Sequence, residues 1–133
     1  TFHESSLSPC VHAILAARLG NKADAYRFYL QTARLDLDDY NKEVHEGLHI
    51  TSMAGTWMSI VEGFAGMQIQ QGTLSFRPQL PKQWKAFTFK ILYKKAPLEV
   101  QLTTAGCQFI WHGKAPISIL VDGEQQTLQP YTA

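Results

Sequence analysis

One change of rhythm in this 133-residue sequence predicts an α+β chain, with helices to about residue 66 and strands beyond it. In the first half apolar residues recur at three- and four-residue intervals, and from Met67 they alternate, with Gly66 between as a left-handed stop. Hydrophobic residues make up 45% of the chain and aromatic residues 11%, enough for one core or two small ones, so the chain is expected to fold.

Ser8 and Pro9 read as a cap and first-turn pair, and Val11, Ile14, Leu15, Arg18 and Leu19 follow at helical spacing until Gly20 ends the run. A second helix is predicted from Lys22 to about Leu35, with Ala23, Tyr26, Leu30 and Ala33 on one side and Phe28 and Tyr29 widening the stripe. The polar run RLDLDDYNKEVHEG is too long for a simple turn, and loops of that length in compact domains are usually functional. A third helix should begin near Ser52, because Met53, Trp57, Ile60, Val61 and Phe64 share a helical face.

Beyond the join, Met67 and Ile69, a turn at Gln71-Gly72, then Leu74 and Phe76 describe a hairpin. Phe87, Phe89, Ile91 and Tyr93 alternate with polar neighbours, as do Leu98, Val100 and Leu102, so both stretches read as half-buried antiparallel strands. Cys107, Phe109 and Trp111 give a fifth run, and Ile117, Ile119 and Val121 a sixth. Asp122-Gly123 then turns the chain into a seventh around Gln126 to Leu128. Short strands at this spacing suggest a sandwich. The prolines of RPQLPKQW, Arg77 to Trp84, lack ladder donors, so this segment crosses between elements with Trp84 as a packing anchor.

A formal net charge of +1 gives no clustered excess to hold nucleic acid, and no apolar run approaches the ~20 residues of a membrane span. The one basic cluster, KILYKK, reads as a solvated strand face. Cys10 and Cys107 have no CxxC spacing, so they read as separate thiols of a reducing, cytoplasmic setting. The sequence opens at Thr1 with no initiator Met and no leader, the expectation being a piece of a longer protein.

Chemistry concentrates in two places, each ahead of a helix. In HITS, His49 to Ser52, the hydroxyls of Thr51 and Ser52 and the His49 ring would join unpaired amides and the positive end of a helix dipole, a seat for an anion. In FHESSLSP, Phe2 to Pro9, Glu4, Ser5 and Ser6 stand in the same relation to the first helix. Each stretch taken alone reads equally as a plain cap with a satisfied histidine or a solvated acid. Two such ends facing one cleft would make a site. Glu43, Glu46 and Asp36 to Asp39 show no metal-ligand spacing and read as loop charge, while His12 and His45 have no obvious partner. Neither GxSxG nor a phosphate-binding loop is present.

HESSLSP, YLQTARLDLDDYN and above all EGLHITSMAGTWMSIVEGFAGM resemble the C-terminal part of glycoside hydrolase family 65, and GTLSFRPQLPKQWKAFTFKI resembles the start of that family's small β domain. The resemblance implies that residues 1–66 are the last helices of a catalytic (α/α)6 barrel and that residues 67–133 form a β-sandwich-like C-terminal domain. The implied activity is that of the family's phosphorylases: inorganic phosphate cleaves an α-linked glucosyl disaccharide, maltose being the expected one, with inversion to β-glucose 1-phosphate. No metal or organic cofactor is implied, phosphate being a co-substrate, and the full-length enzyme is expected to be a homodimer.

An inverting hydrolase needs one carboxylic acid for the leaving oxygen and a second carboxylate to activate water. When phosphate is the nucleophile, hydroxyls, amides and a histidine suit the second position better than another anion. By resemblance Ser5, Ser6, His49, Thr51 and Ser52 are the phosphate contacts and Glu4 binds the sugar. The family's general acid, a glutamate, lies upstream of Thr1, so this chain is expected to be inactive alone. The competing readings are a family hydrolase of a disaccharide such as trehalose, and a noncatalytic carbohydrate-binding module using exposed Trp84 and Trp111.

Overall fold

In a computed structural model that describes residues 5–39 and 42–133, the chain divides after Gly66 into a helical unit, Thr1–Gly66, and a strand unit, Met67–Ala133. Helix α1 (Ser8–Arg18) carries Pro9 in its first turn, where a missing amide breaks no helical bond. Ser8 does not cap it, as expected from sequence, but lies within the helix and donates its hydroxyl to the Ser5 carbonyl (3.2 Å). At the other end Gly20 adopts φ 77°, its N–H donating to the Ala17 carbonyl (3.0 Å) and that of Asn21 to Ala16 (2.9 Å), a Schellman stop.

Asn21 at once caps α2 (Lys22–Ala33): its side-chain oxygen accepts from the Asp24 N–H (3.1 Å) and its amide donates to the Asp24 carboxylate (2.7 Å). The polar run that follows is ordered locally. It contains the single turn α3 (Leu35–Asp38), closed by Asp39 in the left-handed region, and a 3-10 turn, Val44–Glu46. The Asp39 carboxylate holds the Val44 amide (3.1 Å). Helix α4 (Ile50–Met58) then runs without a break into a π turn, Ser59–Phe64. It starts ahead of Ser52 because the His49 carbonyl already accepts from the Ser52 and Met53 amides (3.0 and 3.1 Å).

The buried faces are only partly those the apolar spacing picks out: Ile14, Val61 and Phe64 are buried as expected, and other residues of the same stripes are not. On α1 the buried residues are Pro9, Ala13, Ile14, Ala16 and Ala17, while Val11 is 51% exposed and Leu15 and Leu19 also face outward. On α2 Ala25 and Thr32 are buried and Ala23 is exposed. On α4 the small residues Ser52 and Gly55 point inward, and Met53 and Trp57 are about half exposed (48% and 49%).

Close backbone approach explains the choice. A Cβ on Gly55 would lie 2.8 Å from Cys10 Cβ and 3.4 Å from Thr32 Cγ2, so α1, α2 and α4 meet where no side chain fits. Thr56 and Ser59 hydroxyls donate back to the Ser52 and Gly55 carbonyls (3.1 and 2.8 Å), and the wider π turn begins at Ser59. That shift turns Val61, Gly63 and Phe64 inward, out of phase with Met53 and Trp57.

Seven strands form the second unit, as the alternation predicts: β1 (Gln68–Gln70), β2 (Thr73–Phe76), β3 (Ala86–Tyr93), β4 (Ala96–Thr103), β5 (Gly106–Trp111), β6 (Ile117–Val121) and β7 (Glu124–Leu128). They make a four-stranded sheet, β1-β2-β6-β7, and a three-stranded one, β3-β4-β5. All pairs are antiparallel except β2 and β6, whose parallel register (Ser75 opposite Leu120) follows from the excursion into the other sheet between them. Leu74, Phe76, Ile117 and Ile119 from one sheet and Phe89, Leu98, Val100, Leu102 and Trp111 from the other form the buried core. The Phe76 and Phe109 rings meet at 5.0 Å across it.

Gln71-Gly72, Lys94-Lys95 and Asp122-Gly123 each place two successive residues at positive φ, the two-residue turn that matches strand twist. The basic cluster is thus split: Lys94 and Lys95 make the turn, and Lys90 on β3 pairs with Glu99 (3.4 Å). Between Phe76 and Ala86 the proline-containing segment forms no strand, and Trp84 meets Phe87 edge-on (6.0 Å). Trp111, expected to be exposed in the carbohydrate-module reading, is 4% exposed, and its indole N–H donates to the Ala115 carbonyl (2.7 Å). Both cysteines are free and part-buried. Burial pushes the Cys107 thiol up to about 11, so it stays protonated and packs as a small apolar group.

Candidate anion site at the start of helix α4

His49 is the last residue before α4 and carries three polar contacts. Its N–H donates to Asp36 Oδ2 (3.0 Å), its ring Nδ1 meets Asp36 Oδ1 (2.5 Å), and Nε2 lies 3.4 Å from Glu43 Oε2. The Asp36 and His49 side chains are 14% and 18% exposed. Asp36 is presented by the single turn α3, which Arg34 braces with two bonds to Asp38 (2.7 Å each). Two carboxylates thus flank one imidazole, on both of its nitrogens.

The electrostatic result is a histidine that favours its cation. The hydrogen bond from Asp36 raises the His49 pKa above the ordinary histidine value against an opposing desolvation, and the charges of Asp36 and Glu43 raise it further. In return the His49 bond holds the Asp36 carboxyl below its usual range. Both shifts favour an imidazolium donating to a carboxylate.

Asp36 and Glu43, read from sequence as loop charge, are therefore partners of His49. Neither spacing nor motif signals this, since Asp36 lies 13 residues before the histidine it holds. The one available hint was the length of the polar run itself.

The other expected phosphate contacts are placed as follows. Thr51 is exposed in the first turn of α4. Ser52 is 2% exposed, and its hydroxyl donates to the Thr32 carbonyl (3.1 Å), so it seats α4 on α2. Ser5 is exposed, its hydroxyl accepting from the Leu7 N–H (3.3 Å), and Ser6 is part-buried. Glu4 lies outside the described residues. The His12 ring sits 5.2 Å from Phe28, and exposed His45 lies 4.0 Å from Glu46. Among the described residues no group of three or more His, Cys, Asp or Glu side chains is arranged to hold a metal, and no helix is long and apolar enough to cross a membrane.

Residues 1–58 match the Glycosyl hydrolase family 65 central catalytic domain, and residues 67–128 match the Glycosyl hydrolase family 65, C-terminal domain. The chain is 57% identical over 100 residues to a maltose phosphorylase of Bacillus subtilis (strain 168), an alignment covering 75% of this chain and 13% of that protein. It is 44% identical over 119 residues to an alpha,alpha-trehalose phosphorylase of Thermoanaerobacter brockii, covering 90% of this chain and 15% of the other. A solved structure described as "Putative kojibiose phosphorylase from human microbiome" superposes with a TM-score of 0.91 at 40% identity, covering 98% of this chain and 19% of that one. The chain therefore spans less than a fifth of the length of these relatives. With its helical and strand units matched in turn by the family's central catalytic and C-terminal domains, the chain belongs to glycoside hydrolase family 65.

Proposed function

We propose that this chain is part of an inverting disaccharide phosphorylase that converts maltose and inorganic phosphate to β-glucose 1-phosphate and glucose, and that it supplies the phosphate-binding side of the active site. The observation that carries the reading is the His49 ring held by Asp36 at the start of α4, in a setting that favours its cation, with Thr51 exposed in the first turn that follows. Relatives named as maltose, trehalose and kojibiose phosphorylases support the reaction class, and the 57% identity to a maltose phosphorylase supports that sugar.

In this reading Ser5, Ser6, His49 and Thr51 contact phosphate, Ser52 seats the helix whose start carries His49 and Thr51, and Glu4 binds the glucosyl unit. Phosphate attacks the anomeric carbon from the face opposite the leaving sugar, whose oxygen takes a proton from a glutamic acid of the longer chain. The C–O bond to the leaving sugar breaks as the C–O bond to phosphate forms, which inverts the centre. An imidazolium donating to phosphate offsets the repulsion between that anion and the nearby carboxylates.

The helical unit would then be the closing part of an (α/α)6 barrel. The exposed stripes Val11 and Leu15 on α1, with Leu7 just ahead of it, and Ile50, Met53 and Trp57 on α4 are the faces that the remaining helices would cover. The full enzyme would be a cytoplasmic homodimer needing no cofactor beyond phosphate, and this chain would be inactive alone.

The test is to incubate the longer enzyme with maltose, trehalose and kojibiose, with and without inorganic phosphate, and follow the anomeric protons by NMR. Phosphate-dependent β-glucose 1-phosphate from maltose, lost in His49→Ala, is the expected result. Phosphate-independent release of glucose would make the enzyme a hydrolase and return His49 to a structural role.

A further inference from the structure

We propose that Asp36 is a positioning residue for phosphate binding: it fixes the His49 ring through Nδ1 and so directs Nε2–H toward the anion. The proposal rests on the phosphate reading above.

Three geometric facts support it. Asp36 grips His49 at two points, backbone N–H (3.0 Å) and Nδ1 (2.5 Å), one carboxylate oxygen to each, which fixes both the position and the rotation of the ring. Its own position is fixed in turn, because Arg34 and Asp38 clamp the single turn that carries it. The other nitrogen, Nε2, pairs with Glu43 Oε2 at 3.4 Å, longer than a charge-assisted hydrogen bond of ~2.8 Å, so Nε2 lies where it donates to an anionic oxygen, and a phosphate there shares or displaces the Glu43 contact.

Among the described residues these two carboxylates are the charged groups in ion-pair range of the ring, Asp36 from α3 and Glu43 from the loop before the 3-10 turn. An imidazole that donates Nδ1–H to a carboxylate has one ring orientation left, and its Nε2 carries a donor hydrogen in the protonated form. The same arrangement favours the charged form of the ring, the form that donates to an anion through Nε2–H.

The experiment is an NMR titration of the His49 ring Cε1–H in the longer enzyme with its histidines 13C-labelled at Cε1, with His49→Gln to assign the resonance, repeated with increasing inorganic phosphate. In the wild type His49 should titrate above the ordinary histidine value, and phosphate should shift its resonance. In Asp36→Asn, which keeps an acceptor for the His49 amide but removes the charge, the midpoint should fall back toward that value. Phosphate should then bind roughly tenfold more weakly at neutral pH, the loss expected for one hydrogen bond to a charged group. Asp36→Glu, which restores the charge one methylene further out, should recover the titration in part.

A wild-type His49 that titrates at or below the ordinary value overturns the proposal without need of a variant. So does an Asp36→Asn midpoint equal to that of the wild type. If the midpoint falls but phosphate moves neither resonance, the phosphate reading fails and takes the purpose assigned to Asp36 with it, while the pairing itself stands.

Discussion

Adding one methyl group at Gly113 should unfold much of the strand unit's advantage over its denatured state. A Cβ built there falls 2.0 Å from Trp111 Cζ2, 2.2 Å from Cε2 and 2.7 Å from Nε1, against an indole that is 4% exposed. Non-bonded carbons settle at ~3.5–4.0 Å, so the ring must withdraw by well over an ångström. Withdrawal breaks its 2.7 Å bond to the Ala115 carbonyl and its edge contact with Tyr93. The lost bond costs about 1 kcal/mol and the spoiled packing adds to it, with the ~3–5 kcal/mol of removing a buried tryptophan as a ceiling, so about 3 kcal/mol is expected for Gly113→Ala.

Urea unfolding followed by circular dichroism and tryptophan fluorescence measures this directly. The clash is specific to the indole, so the same substitution in a Trp111→Leu background should cost under about 1 kcal/mol, leaving a coupling of about 2 kcal/mol. A Gly113→Ala chain within about 1 kcal/mol of wild type, or effects that simply add, would refute the buried placement of Trp111. That outcome would also restore the carbohydrate-module reading, which needs the indole face exposed.

Two further outcomes are expected. Replacing Lys94-Lys95, both at positive φ (48° and 65°), by Asn-Gly should raise the urea midpoint by the equivalent of about 1 kcal/mol, because lysine pays a steric penalty there that glycine does not. The chain expressed by itself should self-associate through the apolar stripes of α1 and α4, and Leu15→Lys with Trp57→Lys should reduce that association without lowering the unfolding midpoint; sedimentation equilibrium decides, and a monomeric wild type would contradict it.

What could be read from the sequence depended on how local the cause was. All seven strands were legible because alternation and two-residue turns are written within a few residues, as at Gln71-Gly72 and Asp122-Gly123. The parallel pairing of β2 with β6 was not, because it depends on where a 40-residue excursion returns the chain, and nothing in either strand records that. His49 was singled out by its place before a helix. Asp36 was not, because its single turn and its aim at His49 arise only once the polar run folds back.

The helices show a deeper limit of reading by period. A stripe at three- and four-residue intervals finds the larger apolar residues, and on α1 and α4 these are Val11, Leu15, Met53 and Trp57, all substantially exposed. Where α1, α2 and α4 approach one another, the contacts are made by Ala13, Ala17, Ser52, Gly55 and Thr32, residues that a hydropathy pattern weighs lightly, with Ile14, Val61 and Phe64 the larger residues buried beside them. On α1 and α4 the period therefore picks out in part a face that the helices of the described unit leave exposed, while small residues that let backbones approach make the contact. The buried Ser52–Thr32 bond and the Gly55 contact then fix α4, and with it His49, against α1 and α2.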